Sequence, residues 1–362
     1  METRPFHALG RQVSAVGIGT WQLGADWGEV DPADATATLE AALDSGVTFI
    51  DTADVYDDGR SERFVGSFLK DHPDAGLTVV TKMGRRVAQL PENYTRDAFW
   101  AWNDRSRENL GVDTLDLVQL HCPPSEVIDA EQTWDWLEEM VEQGRIRAYG
   151  VSVETCDQAL CAMSRPGCAS VQIILNVLRR KPLEEVLPTA QRMDTAIIAR
   201  VPLASGLLSG RYTETTTFAP ADHRSYNRDG SAFDVGETFS GVPYEVGVQA
   251  AREFVTLCSE LGPQGVSPVQ VALRWILDQV GVTTVIPGAR NSAQARANAA
   301  AGNLEPLSAQ LHTALEELYD RLSAPTCTIA GRCLRRRFCD NGCGRGGRTV
   351  LPGRTRVRRR RS

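Results

Sequence analysis

The segment "LDLVQLHCPPSEVIDAEQTWDWLEEMVEQGRIRAYGVSV" (115–153) contains two apolar runs with a helical pattern between them. The middle begins at a cap-like Asp129, continues through apolar Leu137 and Val141, and stops at Gly144. Apolar residues at a 3.6-residue period predict an amphipathic helix, and short β-branched runs predict strands. A strand, a helix and a second strand in this order predict a parallel pair with a right-handed crossover.

The same unit recurs along the chain and predicts a barrel. The strands are apolar almost throughout, which indicates that both faces of the sheet are covered. An open doubly wound sheet and a closed barrel both fit that pattern, but eight units without a linker-like break favour a single (β/α)₈ TIM barrel. The predicted strands are residues 13–20, 48–53, 78–83, 115–121, 146–153, 170–176, 196–203 and 283–288.

Two segments interrupt the pattern. A long polar loop, 211–244, follows the seventh strand, and loops of this length are usually functional. From residue 324 the periodicity is lost. We therefore predict a barrel domain at 1–323 and a basic, cysteine-containing, disordered tail at 324–362.

Composition narrows the class of protein. The 362 residues are 42% hydrophobic and 23% charged, as in ordinary soluble proteins, and no run of 18 apolar residues predicts a membrane span. The N-terminus lacks the apolar core of a secretory signal, so we expect a cytoplasmic protein with no membrane partner. The tail carries a net +11 and the rest −18, and such an acidic body argues against a nucleic-acid partner. Both a monomer and a homo-oligomer are compatible with the sequence.

The tail contains two patterns that we interpret as incidental. "GCGRGG" (342–347) satisfies a dinucleotide-binding pattern, but no strand precedes it and no helix follows. Its four cysteines lack a C-x-x-C pair, so we predict no metal site. The abrupt Arg-rich onset suggests a shifted reading frame, a hypothesis that resequencing the 3′ end of the gene would test. The four cysteines are Cys327, Cys333, Cys339 and Cys343.

Polar residues follow the strands at the end of the barrel where active sites form. Asp51 ends the second strand, and Tyr56 lies on the loop after it; Lys82 and His121 end the next two strands. Taken singly, each has a structural explanation, such as a strand-end cap or a core histidine. Together they suggest that the tyrosine acts as an acid and that the lysine lowers its pKa. The carboxylate would pair with the lysine, and the histidine would orient a carbonyl oxygen. Since no side chain is an obvious nucleophile, a cofactor would supply a hydride. Asp54 is interpreted as a turn residue.

Several motifs in this chain resemble those of the aldo-keto reductases. They are "GIGTWQLG", "FIDTADVY" followed by "SE", "VVTKMG", "DLVQLHCP", "GVSV", "VPLASGLLSGRY", "ALRWIL" and "VIPGARNSAQARAN", in the order and spacing of the family across residues 8–322. The resemblance implies a (β/α)₈ barrel that reduces aldehydes and ketones with NADPH. It assigns Tyr56 as the general acid, Lys82 as the residue that lowers its pKa, Asp51 as the partner of that lysine, and His121 as the group that orients the carbonyl.

The resemblance also implies a cofactor site and a substrate site. Two departures bear on them: Val153 replaces an asparagine that often follows Ser152, and Arg200 stands where an aromatic residue commonly stacks on nicotinamide. A guanidinium plane can also stack on a ring. The implied substrate residues are Trp21, Tyr56 and His121; the implied cofactor residues are Gly19, Thr20, Trp21, Asp51, Ser152, Gln172, Arg200, Pro202, Leu203, Gly206, Leu207, Arg211, Gly288, Arg290, Gln294 and Asn298.

The sequence thus predicts a reversible NADPH-dependent carbonyl reductase acting on a small-molecule aldehyde or ketone. Arg290, just before a predicted helix, would favour NADPH over NADH by binding the 2′-phosphate. The alternative is a nucleotide-binding regulatory barrel with little turnover. The presence of Asp51, Tyr56, Lys82 and His121 favours the enzyme.

Overall fold

The computed structural model describes residues 1–23 and 31–326 and has the predicted barrel. Eight parallel strands are hydrogen-bonded in chain order, and bridges from Val16 to Val285 and from Gly19 to Gly288 join the first to the last. The prediction of a (β/α)₈ barrel is confirmed. The barrel strands are β3 (Ile18–Gly19), β4 (Phe49–Asp51), β5 (Thr78–Met83), β6 (Leu115–His121), β7 (Ile146–Ser152), β8 (Cys168–Ile174), β9 (Ala196–Arg200) and β10 (Val282–Val285).

An antiparallel hairpin of β1 (Thr3–Phe6) and β2 (Arg11–Ser14) precedes the barrel. Its Phe6 and Val13 are fully buried and join the cluster of apolar side chains inside the barrel, where the rings of Phe6 and Phe49 stack with centroids 6.4 Å apart. The predicted first strand, 13–20, is therefore wrong at its start. The second strand of this hairpin resembles a barrel strand in sequence, because both have buried apolar side chains.

Helices cover the outside of the sheet and begin at residues that sequence rules identify. The Asp31 side chain accepts from the Ala33 N–H at the start of α1, and Ser267 forms a capping box at the start of α10. The helices are α1 (Pro32–Asp44), α2 (Arg60–Asp71), α3 (Arg96–Leu110), α4 (Ser125–Asp129), α5 (Glu131–Glu142), α6 (Cys156–Met163), α7 (Val186–Met193), α8 (His223–Tyr226), α9 (Tyr244–Leu261), α10 (Pro268–Leu277), α11 (Ser292–Ala299) and α12 (Ala309–Leu318).

Two details of the segment 115–153 differ from expectation. Asp129 does not cap the long helix; it ends α4, and α5 begins after Ala130 without a side-chain cap. Leu137 is buried as predicted, but the last buried position of the stripe is Met140, because Val141 is 37% exposed. The pattern located the helix but misplaced its start and part of its face.

The predicted loop after the seventh strand contains short helices. We call residues 211–243 the covering segment; it holds α8 and the 3₁₀ turns Val235–Glu237 and Phe239–Gly241, and α9 follows directly. A single π-turn, Tyr319–Ser323, ends the described body. Residues 327–362, which contain the four cysteines and nearly all of the predicted tail, lie outside the described residues. The domain boundary at 323/324 stays a prediction. In the described ranges, every helix is too short or too polar to cross a membrane.

Candidate active site

The tetrad Asp51, Tyr56, Lys82 and His121 meets at the carboxyl end of the barrel. Lys82 Nζ donates to Asp51 Oδ1 at 2.7 Å, to the Thr52 carbonyl at 2.8 Å and to Tyr56 Oη at 3.4 Å. The Tyr56 and His121 rings meet edge to face with centroids 5.9 Å apart. Four residues that are up to 70 positions apart in sequence thus form one cluster, because neighbouring strands end side by side.

Buried amides hold Asp51 in place. Gln172 Nε2 donates to Asp51 Oδ2 at 2.7 Å and also contacts Gln119 Oε1 at 3.1 Å, while Gln119 Nε2 donates to Ser170 Oγ at 2.9 Å. Both carboxylate oxygens of Asp51 therefore have a donor, which offsets the cost of burying them. Gln172 was predicted to hold a cofactor; here its amide N–H groups are directed to Asp51 and Gln119. Gln119 was not predicted, although it lies opposite Lys82 in the strand register.

Ser61 and Glu62, the "SE" of the motif, form hydrogen bonds with threonines at or near the ends of barrel strands. Ser61 Oγ lies 2.7 Å from Thr20 Oγ1 and 2.9 Å from Thr52 Oγ1, which ties α2 to the loops after β3 and β4. Glu62 Oε1 accepts from Thr81 Oγ1 at 2.6 Å, inside the protein. These contacts fix the short loop that carries Tyr56.

Burial and charge together set the protonation of the tetrad. Burial raises the pKa of Tyr56, and the attraction of Lys82 offsets only part of that rise. Lys82 thus lowers the pKa of Tyr56 in the direction that the sequence predicted, but burial outweighs this effect. Burial alone would lower the pKa of Lys82, but Asp51 and Tyr56 raise it above its ordinary value. The pKa of His121 is well below its ordinary value because of burial and the nearby Arg85 and Lys82 cations.

Asp54 lies in a turn, as the sequence suggested, but it is not exposed to solvent. Its side chain is fully buried, and neither carboxylate oxygen has a hydrogen-bond partner in the described part of the chain. Burial, with a smaller contribution from Glu62, raises the pKa of Asp54 to about 8. Its backbone N–H donates to the Lys82 carbonyl at 3.1 Å, which holds this residue against the end of β5.

A cavity of about 860 Å³ opens above the tetrad. Three predicted site residues do not line it: Lys82 lies beneath Asp51 and Tyr56, Thr20 donates to the Asp51 carbonyl, and Leu207 is fully buried. The predicted residues that line it are Gly19, Trp21, Asp51, Tyr56, His121, Ser152, Gln172, Arg200, Pro202, Leu203, Gly206, Arg211, Gly288, Arg290, Gln294 and Asn298.

The loop after β9 has strained backbone beside this cavity. Val201 has φ 52°, Ala204 48° and Ser205 55°, values that are rare for residues with a side chain and rarest for a β-branched one. Gly206, at φ 95°, is a residue type that accepts this conformation without strain. Strain of this kind concentrates at ligand sites. The short, Gly-containing backbone here suits close approach to a bulky anion.

Four charged residues, of which only Arg200 was predicted, form a largely buried network next to His121. Arg200 Nη2 donates to Glu154 Oε2 at 2.8 Å, and Arg85 Nη1 donates to Glu237 Oε1 at 2.8 Å. Arg200 Nη1 lies 3.6 Å from the same Glu237 oxygen. Burial opposes the ionised form of Glu237, but the two arginines hold the pKa of Glu237 well below its ordinary value, whereas burial raises the pKa of Glu154 to about 7.

Ligand atoms of Cys122, Glu154 and Glu237 lie within 4.8 Å of one another, a spacing that metal sites also have. Here Arg85 and Arg200 already neutralise these carboxylates. Burial also raises the pKa of the Cys122 thiol, which disfavours the thiolate that binds metals. The cluster is accordingly best described as an ion-pair network.

Aromatic side chains from the covering segment close the cavity above Tyr56. Trp21 lies 6.2 Å from the Tyr56 ring, 4.9 Å from the His223 ring and 6.5 Å from the Phe233 ring, measured between centroids. His223 and Phe233 were not predicted, because nothing in a long polar loop indicates which side chain turns inward. The part of the cavity in front of Tyr56 is therefore lined by aromatic side chains.

The opposite end of the cavity lies at the start of α11. Asn291 caps that helix by accepting from the Gln294 N–H at 2.9 Å, and Gln294 Oε1 accepts from the Arg290 N–H at 2.9 Å. Asn298 Nδ2 donates to the Gly288 carbonyl at 3.1 Å. Arg290 is exposed, and a helix N-terminus next to a guanidinium favours an anion.

Comparison with known proteins agrees with this geometry. The family model described as "Aldo/keto reductase family" matches residues 15–320. The chain belongs to the aldo-keto reductases. The family is one of oxidoreductases and uses NADP(H), in agreement with the predicted cofactor.

Three relatives illustrate the similarity. Aldo-keto reductase YhdN of Bacillus subtilis is 30% identical over 301 residues, which are 82% of this chain and 87% of YhdN. The structure of the glycerol dehydrogenase AKR11B4 from Gluconobacter oxydans superposes with a TM-score of 0.72 at 29% identity, covering 88% of this chain and 95% of that one. The holo form of aldo-keto reductase AKR11C1 from Bacillus halodurans gives 0.69 at 26% identity, covering 88% and 96%.

Proposed function

We propose that this aldo-keto reductase reduces an aldehyde or ketone to an alcohol with NADPH, Tyr56 donating the proton. The observation that carries the proposal is the contact of Tyr56 Oη with Lys82 Nζ, which Asp51 holds at 2.7 Å inside the cavity floor. A nucleotide-binding regulatory barrel with little turnover would have no need of an ammonium in contact with a tyrosine hydroxyl. The reaction is reversible in principle, with Tyr56 accepting the proton in the oxidative direction.

The tetrad divides the proton transfer between its members. Tyr56 is protonated at neutral pH because burial raises its pKa, so it can donate an O–H to a carbonyl oxygen. His121 is neutral and offers a second N–H to the same oxygen, which orients it. Once the proton has left, Lys82 lies next to the phenolate, and its positive charge stabilises the product state.

The cavity has groups that fit a dinucleotide phosphate along its whole length. NADPH would supply a hydride to the carbonyl carbon, and the carbonyl π electrons would take the Tyr56 proton at oxygen. Ser152 and Arg200 would lie near the nicotinamide, the strained backbone around Gly206 near the pyrophosphate, and Arg290 near the 2′-phosphate. Asp51 and Gln172 would keep the floor of the site in place beneath the ring.

The proposal is tested by following NADPH absorbance with a panel of aldehydes and ketones, and then with Tyr56→Phe. We expect kcat to fall by at least about 100-fold, the scale of general-acid catalysis. The matched control is Tyr149→Phe, since the Tyr149 hydroxyl donates to Glu138 at 3.2 Å and is not part of the cavity wall. Equal turnover in wild type and Tyr56→Phe, or no turnover of any carbonyl by wild type, would contradict the proposal.

A further inference from the structure

Arg85 lies at the point where His121 would meet a substrate. It follows β5, lines the cavity, and directs Nη1 to within 3.5 Å of His121 Nε2. Its guanidinium is held by Glu237 at 2.8 Å and lies 5.3 Å from the centre of the Phe233 ring. Fixed by these contacts, Arg85 presents an N–H donor at a constant place beside the tetrad.

The position of Arg85 leaves His121 with an unmet hydrogen bond in either neutral form. If Nε2 accepts from Arg85, the proton is on Nδ1, which is buried and has no partner in the described ranges. If Nε2 carries the proton, Arg85 and His121 are two donors facing each other at 3.5 Å. An unmet buried polar group is costly. Two substrate oxygens, one accepting from His121 Nε2 and the other from Arg85 Nη1, would give both donors a partner in the second form.

We propose that Arg85 is a specificity-determining residue of the reductase, donating to an oxygen on the carbon next to the reacting carbonyl. The inference rests on the proposed function. His121 and Tyr56 would bind the reacting oxygen, and Arg85 Nη1 would bind its neighbour, because oxygens on adjacent carbons lie about as far apart as the two donors. The favoured substrates are then 1,2-dicarbonyl or 2-hydroxycarbonyl compounds.

Glu237 determines whether the oxygen that Arg85 binds can be charged or must be neutral. Its carboxylate contacts Arg85 at 2.8 Å and lies 3.6 Å from Arg200, whose other side pairs with Glu154. The two positive charges are therefore already matched by two carboxyl groups. A substrate carboxylate would add a negative charge beside Glu237, and like charges at short range repel. A neutral oxygen meets no such repulsion, and Trp21 and Phe233 suit an apolar remainder.

The test compares two ketones that differ by one oxygen, 1-phenyl-1,2-propanedione and phenylacetone. Since a diketone is intrinsically more reactive, the diagnostic quantity is the change in the kcat/KM ratio between wild type and Arg85→Met. We expect kcat/KM to fall at least tenfold more for the diketone, the scale of a lost charged hydrogen bond. Arg85→Lys, which keeps a cationic donor, should recover part of the ratio. Arg252→Met, at an exposed arginine paired with Glu214, is the control and should leave it unchanged.

The outcomes separate this inference from the proposed function. An equal loss for both ketones in Arg85→Met overturns the role of Arg85 while leaving the reductase intact. A wild-type protein that reduces other carbonyls of the panel but not the diketone overturns the preference assigned to Arg85, whereas one that reduces no carbonyl at all overturns the proposed function.

A second variant keeps the inference testable if Arg85→Met does not fold. Glu237→Gln preserves the shape of the side chain and removes its charge, so Arg85 becomes an uncompensated cation. We expect the kcat/KM of phenylpyruvate, relative to that of 1-phenyl-1,2-propanedione, to rise at least tenfold in this variant. An unchanged ratio, in a protein whose thermal transition shows that it is folded, would overturn the role of Glu237 and with it the preference for neutral oxygens.

Discussion

The two ends of the cavity handle charge in opposite ways. At the tetrad end, the side chains of Lys82 and Asp51 are 1% and 4% exposed and contact each other at 2.7 Å. At the α11 end, Arg290 and Gln294 are exposed to solvent at a helix terminus. Both ends are built from loops that follow barrel strands, so the difference comes from what surrounds the charges.

This difference matches the work proposed for each end. A proton donor and its partners act most strongly where water is excluded and their positions are fixed, because the low dielectric strengthens each interaction. A phosphate needs only nearby donors and positive charge, and exposed ones cost little to maintain. We therefore expect substitutions at the tetrad end to change rates or stability strongly, and those at the α11 end to change affinity modestly.

The largest effect is expected at Lys82. Lys82→Met should lower kcat by about 1,000-fold, since the phenolate left after proton donation would lose its adjacent positive charge. The high-pH limb of the residual reduction rate should move to higher pH, because Lys82 lowers the pKa of Tyr56. Steady-state rates with NADPH between pH 6 and 10 measure both. Lys70→Met, at an exposed position of α2, is the control; a folded Lys82→Met protein within tenfold of wild type would contradict the comparison.

A smaller effect, on stability, is expected at Asp54, the unpaired acid of the tetrad end. Its pKa is about 8 in the folded protein and near 3.8 in an unfolded chain, so the folded state keeps the proton more tightly. The stability that this proton confers is present below about pH 4 and is lost as the pH rises to about 8. Asp54→Asn, which resembles the protonated acid, should raise the free energy of unfolding relative to wild type by about 2–4 kcal/mol at pH 8 and by much less at pH 5.

Urea unfolding of both proteins at the two pH values measures this difference. Asp74→Asn, at an exposed aspartate, serves as the control. The same change in unfolding free energy at pH 5 and pH 8 would show that Asp54 does not titrate between them.

The smallest effect is expected at the α11 end. Arg290→Ala should raise the KM for NADPH by about tenfold and leave that for NADH nearly unchanged, because only NADPH carries the 2′-phosphate that the guanidinium would bind. The matched control is Arg296→Ala, an exposed arginine within α11 that does not line the cavity. An equal effect on both cofactors would remove Arg290 from the 2′-phosphate site.

The tetrad could be predicted because strand ends are visible in sequence. Asp51, Lys82 and His121 each close an apolar run, and parallel strands in one barrel bring such ends together. The opening hairpin could not be separated from the first barrel strand, since Val13 is buried in either arrangement. The burial of Asp54 was missed for a related reason: three residues beyond a strand, an acid is usually solvated, and its burial depends on the tertiary packing around the turn.

Arg85, Glu237 and Phe233 show where sequence inference ends. Arg85 and Glu237 are 152 residues apart, and neither belongs to a periodic pattern or a recognised motif. Their pairing depends on how the covering segment folds back over β5, which is determined by the joint packing of many side chains. The position of Trp21 against His223 and Phe233 depends on the same fold.

The sequence by itself determined the barrel, the tetrad and the family, because each depends on short-range features: apolar runs, strand ends and motifs with fixed spacing. Only the tertiary structure decided the state of those groups. It showed that burial outweighs Lys82 at Tyr56, that Gln172 supports Asp51, and that Glu237 matches the charge of Arg85 beside His121. The physical reason is that pKa values and charge balance depend on every group within a few ångströms, and residues distant in sequence supply most of them.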